Sequence, residues 1–118
     1  MGSFSFPKSE RLYKKKAIQE LFDKGSSFYI YPFRVYFQQS SEQNAHQVIF
    51  SVSKRNFKRA VDRNLIKRRM REAFRLNKAG VPGASKLQMA YIYTAKEILS
   101  FDQIQEKTVL SFKRLQKL

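Results

Sequence analysis

The chain has 118 residues, 42% of them hydrophobic, and carries 24 lysines and arginines against 9 acids, for a formal net charge of +15. That length fits a single domain over the whole chain, the lack of cysteine rules out disulfides and thiolate metal sites, and no apolar run reaches the roughly 18 residues of a membrane-spanning helix. A cationic excess this large repels itself in a compact fold and calls for a polyanionic partner, nucleic acid before an anionic membrane surface, with the cytoplasm as the default location.

Residues 1–8 read as an extended N-terminal arm, in which Pro7 discourages an early helix. Residues 14–24 predict a short helix: Ala17, Ile18, Leu21 and Phe22 recur at helical spacing, and Gly25 is placed to end it. Residues 28–38 are rich in aromatic and β-branched side chains and predict a strand, with Pro32 asking for an edge position or an irregular start. A polar loop at 40–47 leads to a second strand at 48–54, and an antiparallel ribbon across that loop is the expected pairing. Alternation sends Phe33, Val35, Phe37, Val48, Phe50 and Val52 to a core face. Arg34, Tyr36, Ile49, Ser51 and Ser53 fall on the other, a smaller and more polar face that is a candidate binding platform.

Residues 61–77 predict the main helix, with Asp62 as a cap or first-turn acid. The chain breaks at 81–83, and residues 87–94 predict a third strand. Ser100 and Gln103 have the spacing of a capping box, opening a last helix whose apolar side carries Phe101, Ile104, Phe112, Leu115 and Leu118. The order helix-strand-strand-helix-strand-helix makes an α/β (α+β) sandwich.

Residues 54–75 hold ten lysines and arginines among 22 residues, opposed by Asp62 and Glu72 alone. At 100° per residue, Ile66, Met70, Ala73 and Phe74 share one side of the helix, while Asn64, Lys67, Arg68, Arg71 and Arg75 share the other. A solvated helix face normally mixes charge signs at i, i+4. Here like charges adjoin, an arrangement suited to phosphates, with arginine forks for phosphate oxygens and an asparagine for sugar or base edges. The apolar side is needed for the core, which disfavours the membrane as partner.

Catalytic groups are missing. His46, the one histidine, lies in the polar loop, and the acids are scattered rather than paired as a two-metal site requires. No catalytic residue, metal ligand or tightly bound cofactor is expected in the protein.

The run Ser51-Val-Ser-Lys-Arg followed by Ala60-Val-Asp-Arg-Asn-Leu-Ile-Lys-Arg-Arg-Met-Arg-Glu-Ala-Phe-Arg75 resembles the signature of the bacterial ribonuclease P protein family. The likeness extends over roughly residues 7–118, through Arg11-Leu12, the short helix ending Phe22-Asp-Lys-Gly25, the strand at 33–37, the strand at 91–94 and the final helix. The resemblance implies a small mixed sheet with a left-handed βαβ crossover around the basic helix, where general preference is right-handed. It also implies an accessory subunit of an endoribonuclease whose chemistry belongs to the catalytic RNA and its Mg²⁺ ions. Lys54, Arg55, Arg63, Asn64, Lys67, Arg68, Arg69 and Arg71 would then grip that RNA. Ile18, Phe22, Arg34, Tyr36 and Ser51 would line a cleft for the single-stranded 5′ leader of precursor tRNA. An aromatic with nearby cations suits sequence-tolerant binding of a single strand.

Two departures from the family pattern stand out. Leu65 stands where an arginine is usual and Arg69 where an apolar residue is usual; four residues apart, they are neighbours on one side of the helix and read as a swap that conserves charge. Ile18 replaces a frequent aromatic, leaving packing in place of stacking. The competing reading is a structural RNA-binding protein of ribosomal type, which composition alone does not separate. A DNA-binding module would need a partner helix before the basic one, and strands precede it here.

Overall fold

The computed structural model describes residues 11, 12, 14–39, 46–81 and 86–117. The expected arm at 1–8, Leu118 and most of the break at 81–83 lie outside the described residues. Among the described residues three helices pack on a four-stranded sheet in the order α1 (Lys15–Lys24), β1 (Ser26–Ile30), β2 (Phe33–Gln39), β3 (Gln47–Val52), α2 (Ala60–Asn77), β4 (Leu87–Tyr93) and α3 (Phe101–Gln116), with one 3₁₀ turn at Lys78–Gly80.

The aromatic run expected to be one strand is a hairpin. β1 and β2 pair antiparallel with Ile30 opposite Phe33, and the chain turns through Tyr31 and a cis-Pro32. Pro32 is therefore a turn residue just ahead of β2, where the missing N–H costs no ladder bond. Its carbonyl accepts from both the backbone N–H (2.7 Å) and the hydroxyl (2.9 Å) of Thr94, which ties the turn to the end of β4.

The sheet order is β1-β2-β4-β3, so the expected ribbon of β2 with β3 does not form. β4 lies between them, antiparallel to β2 and parallel to β3, and α2 makes the crossover from β3 to β4. The reason is legible in β4 itself. All but Ile92 of Leu-Gln-Met-Ala-Tyr-Ile-Tyr is buried, the pattern of a strand covered on both faces, whereas β2 and β3 alternate.

The larger core lies between the sheet and the pair α2/α3. Phe33, Val35, Phe50, Tyr91 and Tyr93 meet Ile66, Met70, Phe74, Ile104 and Phe112. Edge-on ring contacts lock it, Phe74 standing 5.5 Å from Phe112 and 5.9 Å from Phe50. The Tyr91 hydroxyl is paired with Ser111 Oγ at 2.6 Å, and burial pushes its pKa up. Ser100 and Gln103 form the capping box expected at the start of α3. Asp62 is not the cap of α2: Arg59 holds that position without a side-chain bond, and Asp62 sits in the first turn, where its charge suits the helix dipole.

On the opposite face of the sheet α1 builds a smaller core. Leu12, Leu21 and Ala90 are buried together, flanked by Ala17, Ile18, Tyr36 and Ile49. Gly25 ends α1 by close approach: its N–H bonds Leu21 O at 2.9 Å, and a Cβ there would stand 2.4 Å from that oxygen and 3.0 Å from Phe37 O. No helix among the described residues is long and apolar enough to cross a membrane.

Candidate nucleic-acid interface

The helical wheel read from α2 holds. Ile66, Met70, Ala73 and Phe74 are the buried side, and Asn64, Arg68 and Arg71 are exposed on the other, with Lys67 half-buried between. Among the described residues no acid pairs with Lys67, Arg68 or Arg71. Arg75, at the end of this face, is engaged with Glu72 through Nε at 3.1 Å and a second, short contact from Nη2. That hydrogen bond from the guanidinium holds the Glu72 carboxyl below its ordinary pKa.

The segment joining β3 to α2 adds a second group of cations. Phe57 is buried against Tyr93 and its N–H bonds Ser53 O at 3.1 Å, so the chain curls into a tight turn. Lys54 and Arg55 are exposed on that turn, and Ser53 Oγ accepts the Arg55 N–H at 3.0 Å. Arg63 reaches back from α2 and donates from Nη1 to the carbonyls of Phe57 and Lys58, both at 2.8 Å. Its role in the free protein is thus to brace the cationic turn.

Arg69 lies elsewhere. Its Nη1 donates to Leu99 O at 2.5 Å, so it spans from α2 to the segment before α3, part-buried, on the side away from Arg68 and Arg71. The exchange with Leu65 places the guanidinium at the seam between α2 and the segment before α3, and it does not restore a cation to the exposed face.

The residues expected to contact a leader share the α1 side of the sheet. Phe22 stands edge-on to Tyr36 with ring centroids 4.8 Å apart, and Ile18 packs beside them under α1. Strand pairing sets Tyr36, Ala90 and Ile49 in one row across this face and Tyr29, Arg34, Ile92 and Ser51 in the next, with Gln38, Gln88 and Gln47 in a row on the other side of the first. α1 covers the first row. In the second, Tyr29, Arg34 and Ser51 are exposed and Ile92 is half-buried. Ser51 is three residues before Lys54, so the aromatic face runs along β3 into the cationic turn.

Tyr29 and Ile92 are part of this face and were not singled out from sequence. Tyr29 would have followed from splitting the aromatic run at Pro32, and Ile92 from alternation along β4. His46 serves the fold: its Nδ1 accepts the backbone N–H of Leu87 at 3.0 Å, fixing the start of β4 beside β3.

A mixed sheet with a cationic crossover helix on one side and an open row bearing Tyr29 and Arg34 on the other defines a small basic α+β domain. The chain belongs to the ribonuclease P protein family, whose family model, described as Ribonuclease P, matches residues 6–116. A ribonuclease P protein component from Porphyromonas gingivalis is 46% identical over 79 residues, 65% of this chain and 58% of that one. Another, from Citrifermentans bemidjiense, is 34% identical over 99% of this chain and 97% of its own length. Among solved structures, the RNase P protein of Staphylococcus aureus superposes with a TM-score of 0.77 at 28% identity, covering 92% of this chain and 95% of that one.

Proposed function

We propose that this chain is the protein subunit of ribonuclease P, working in the cytoplasm. It binds the catalytic RNA through the outer face of α2 and the turn before it, and holds the single-stranded 5′ leader of precursor tRNA on the open face of the sheet. Lys54, Arg55, Asn64, Lys67, Arg68 and Arg71 meet the phosphates of the catalytic RNA, with Arg63 holding the turn in place. Phe22, Tyr36, Arg34 and Ser51 contact the leader, and Ile18 seats α1 against the sheet. The carrying observation is the junction of two chemically different surfaces at the end of β3. A phosphate-binding helix alone would serve any structural RNA; an adjoining aromatic face of half-exposed rings suits unstacked bases.

The cleavage chemistry lies with the RNA and its Mg²⁺. Lysines and arginines complement phosphate oxygens and do not ligate a divalent cation, so the protein contributes charge screening and position. The test is precursor-tRNA cleavage by the cognate catalytic RNA at low Mg²⁺, with and without the chain. Rescue of cleavage at the mature 5′ end, lost when Lys67 and Arg68 become alanine, is the expected result. Tight RNA binding with no rescue and no preference for leader-bearing tRNA would instead mark a structural RNA-binding protein.

A further inference from the structure

The open row of the sheet extends past the residues assigned to the leader. Tyr29 lies directly across from Arg34 on the edge strand β1, on the same face as Tyr36. With the strands about 4.8 Å apart, the row from Ser51 through Ile92 and Arg34 to Tyr29 spans roughly 14 Å, wider than one base needs. α1 leaves this row uncovered: its buried contacts are with the row of Tyr36, Ala90 and Ile49. Tyr29 keeps 47% of its surface exposed.

The ring is nonetheless held. Its hydroxyl is 3.3 Å from Thr94 Oγ1, and that oxygen is itself fixed by its bond to Pro32 O. The Arg34 guanidinium lies over the ring with Cζ 5.7 Å from the centroid. A planar cation and an aromatic ring, both exposed and pre-positioned, form a surface on which a nucleobase stacks at little ordering cost.

We propose that Tyr29, together with Arg34, is an outer stacking station for single-stranded RNA, taking a base beyond those at Phe22 and Tyr36. The inference rests on the reading of this face as the leader track and adds to it a fixed reach along the leader. Substrate affinity then grows in steps as the leader lengthens, and the last step belongs to Tyr29.

The experiment measures binding of precursor tRNAs, with leaders lengthened one nucleotide at a time, to the holoenzyme reconstituted from the catalytic RNA and the full chain. With Tyr29→Ala the outermost gain disappears, a loss of about fivefold or more, while shorter leaders and the catalytic RNA bind as before. Tyr29→Phe keeps the gain, because the ring stacks and the hydroxyl only orients it. Unchanged steps in Tyr29→Ala overturn the proposal. So does a loss equal at every leader length accompanied by a lower unfolding temperature, which assigns Tyr29 to shielding the sheet. If the unsubstituted chain itself shows no leader-dependent gain, the leader reading of the whole face falls, and the station with it.

Discussion

The two faces of the sheet are built from the same strands and end differently. On one face Phe33, Val35, Phe50, Tyr91 and Tyr93 are closed over by two long helices, and the rings interlock. On the other, α1 is ten residues long and covers a single row, leaving Tyr29, Arg34 and Ser51 in solvent. The burial asymmetry divides the labour: one face holds the fold together, the other is free to bind. α2 repeats this division within one helix, with Phe74 and Met70 inward and Arg68 and Arg71 outward.

The largest effect that would test this contrast comes from the closed face. Phe74→Ala removes a ring wedged between Phe50, Tyr91 and Phe112 and is expected to cost roughly 3–5 kcal/mol, a large share of the stability of a domain this size. Denaturant unfolding measures it. A cost under about 1 kcal/mol would mean that the core is far looser than its ring contacts indicate.

Next come substitutions on the open side of α2, which should leave unfolding nearly unchanged. Lys67→Ala and Arg68→Ala each weaken binding to the catalytic RNA and lower the slope of log affinity against log salt by about one. Arg63→Lys sharpens the distinction between charge and position. It keeps the cation but not the guanidinium whose Nη1 reaches both carbonyls, so affinity falls through a disordered turn while the salt slope stays.

Arg69 lies between the two categories by sequence but belongs with the closed side. Arg69→Ala is expected to lower stability by about 1.5–3 kcal/mol, the range for a hydrogen bond from a charged donor, with RNA affinity intact. Loss of affinity at unchanged stability would return Arg69 to the binding face and revive the exchange with Leu65.

The smallest effect is a pH dependence. Burial raises the pKa of Tyr91 and, less completely buried, of Tyr93. A phenol whose folded pKa lies above its unfolded value stabilises the fold fully below the unfolded value, about 10, and loses that contribution as pH rises beyond it. The denaturant midpoint should therefore fall above that pH, and less steeply in Tyr91→Phe. Ser111 keeps its bond to Thr108 O in that variant, so no buried hydroxyl is stranded. An equally steep fall would point to other groups.

Periodicity is a local property, and what depends on it was legible. The alternation of β2 and β3 and the wheel of α2 sorted core from surface residue by residue, and the capping box at Ser100 located the start of α3. The cationic face of the basic helix was legible for the same reason, since its side chains recur at helical spacing whatever surrounds them. Strand order was different. β2 and β3 have compatible patterns and a loop between them, and nothing nearby in the chain says that β4 will separate them after an 18-residue helix. The hairpin inside the aromatic run was hidden for a related reason: both halves favour extended backbone, and only pairing across Pro32 distinguishes two strands from one.

Sequence by itself thus determined the class of domain and the cationic and apolar sides of α2, since these follow from residue type and spacing within a few turns. Tertiary structure alone decided that Arg69 bonds a carbonyl 30 residues away and that β4 separates β2 from β3. Each of these depends on which distant segments share a surface, and that is settled by burying both faces of β4 at once.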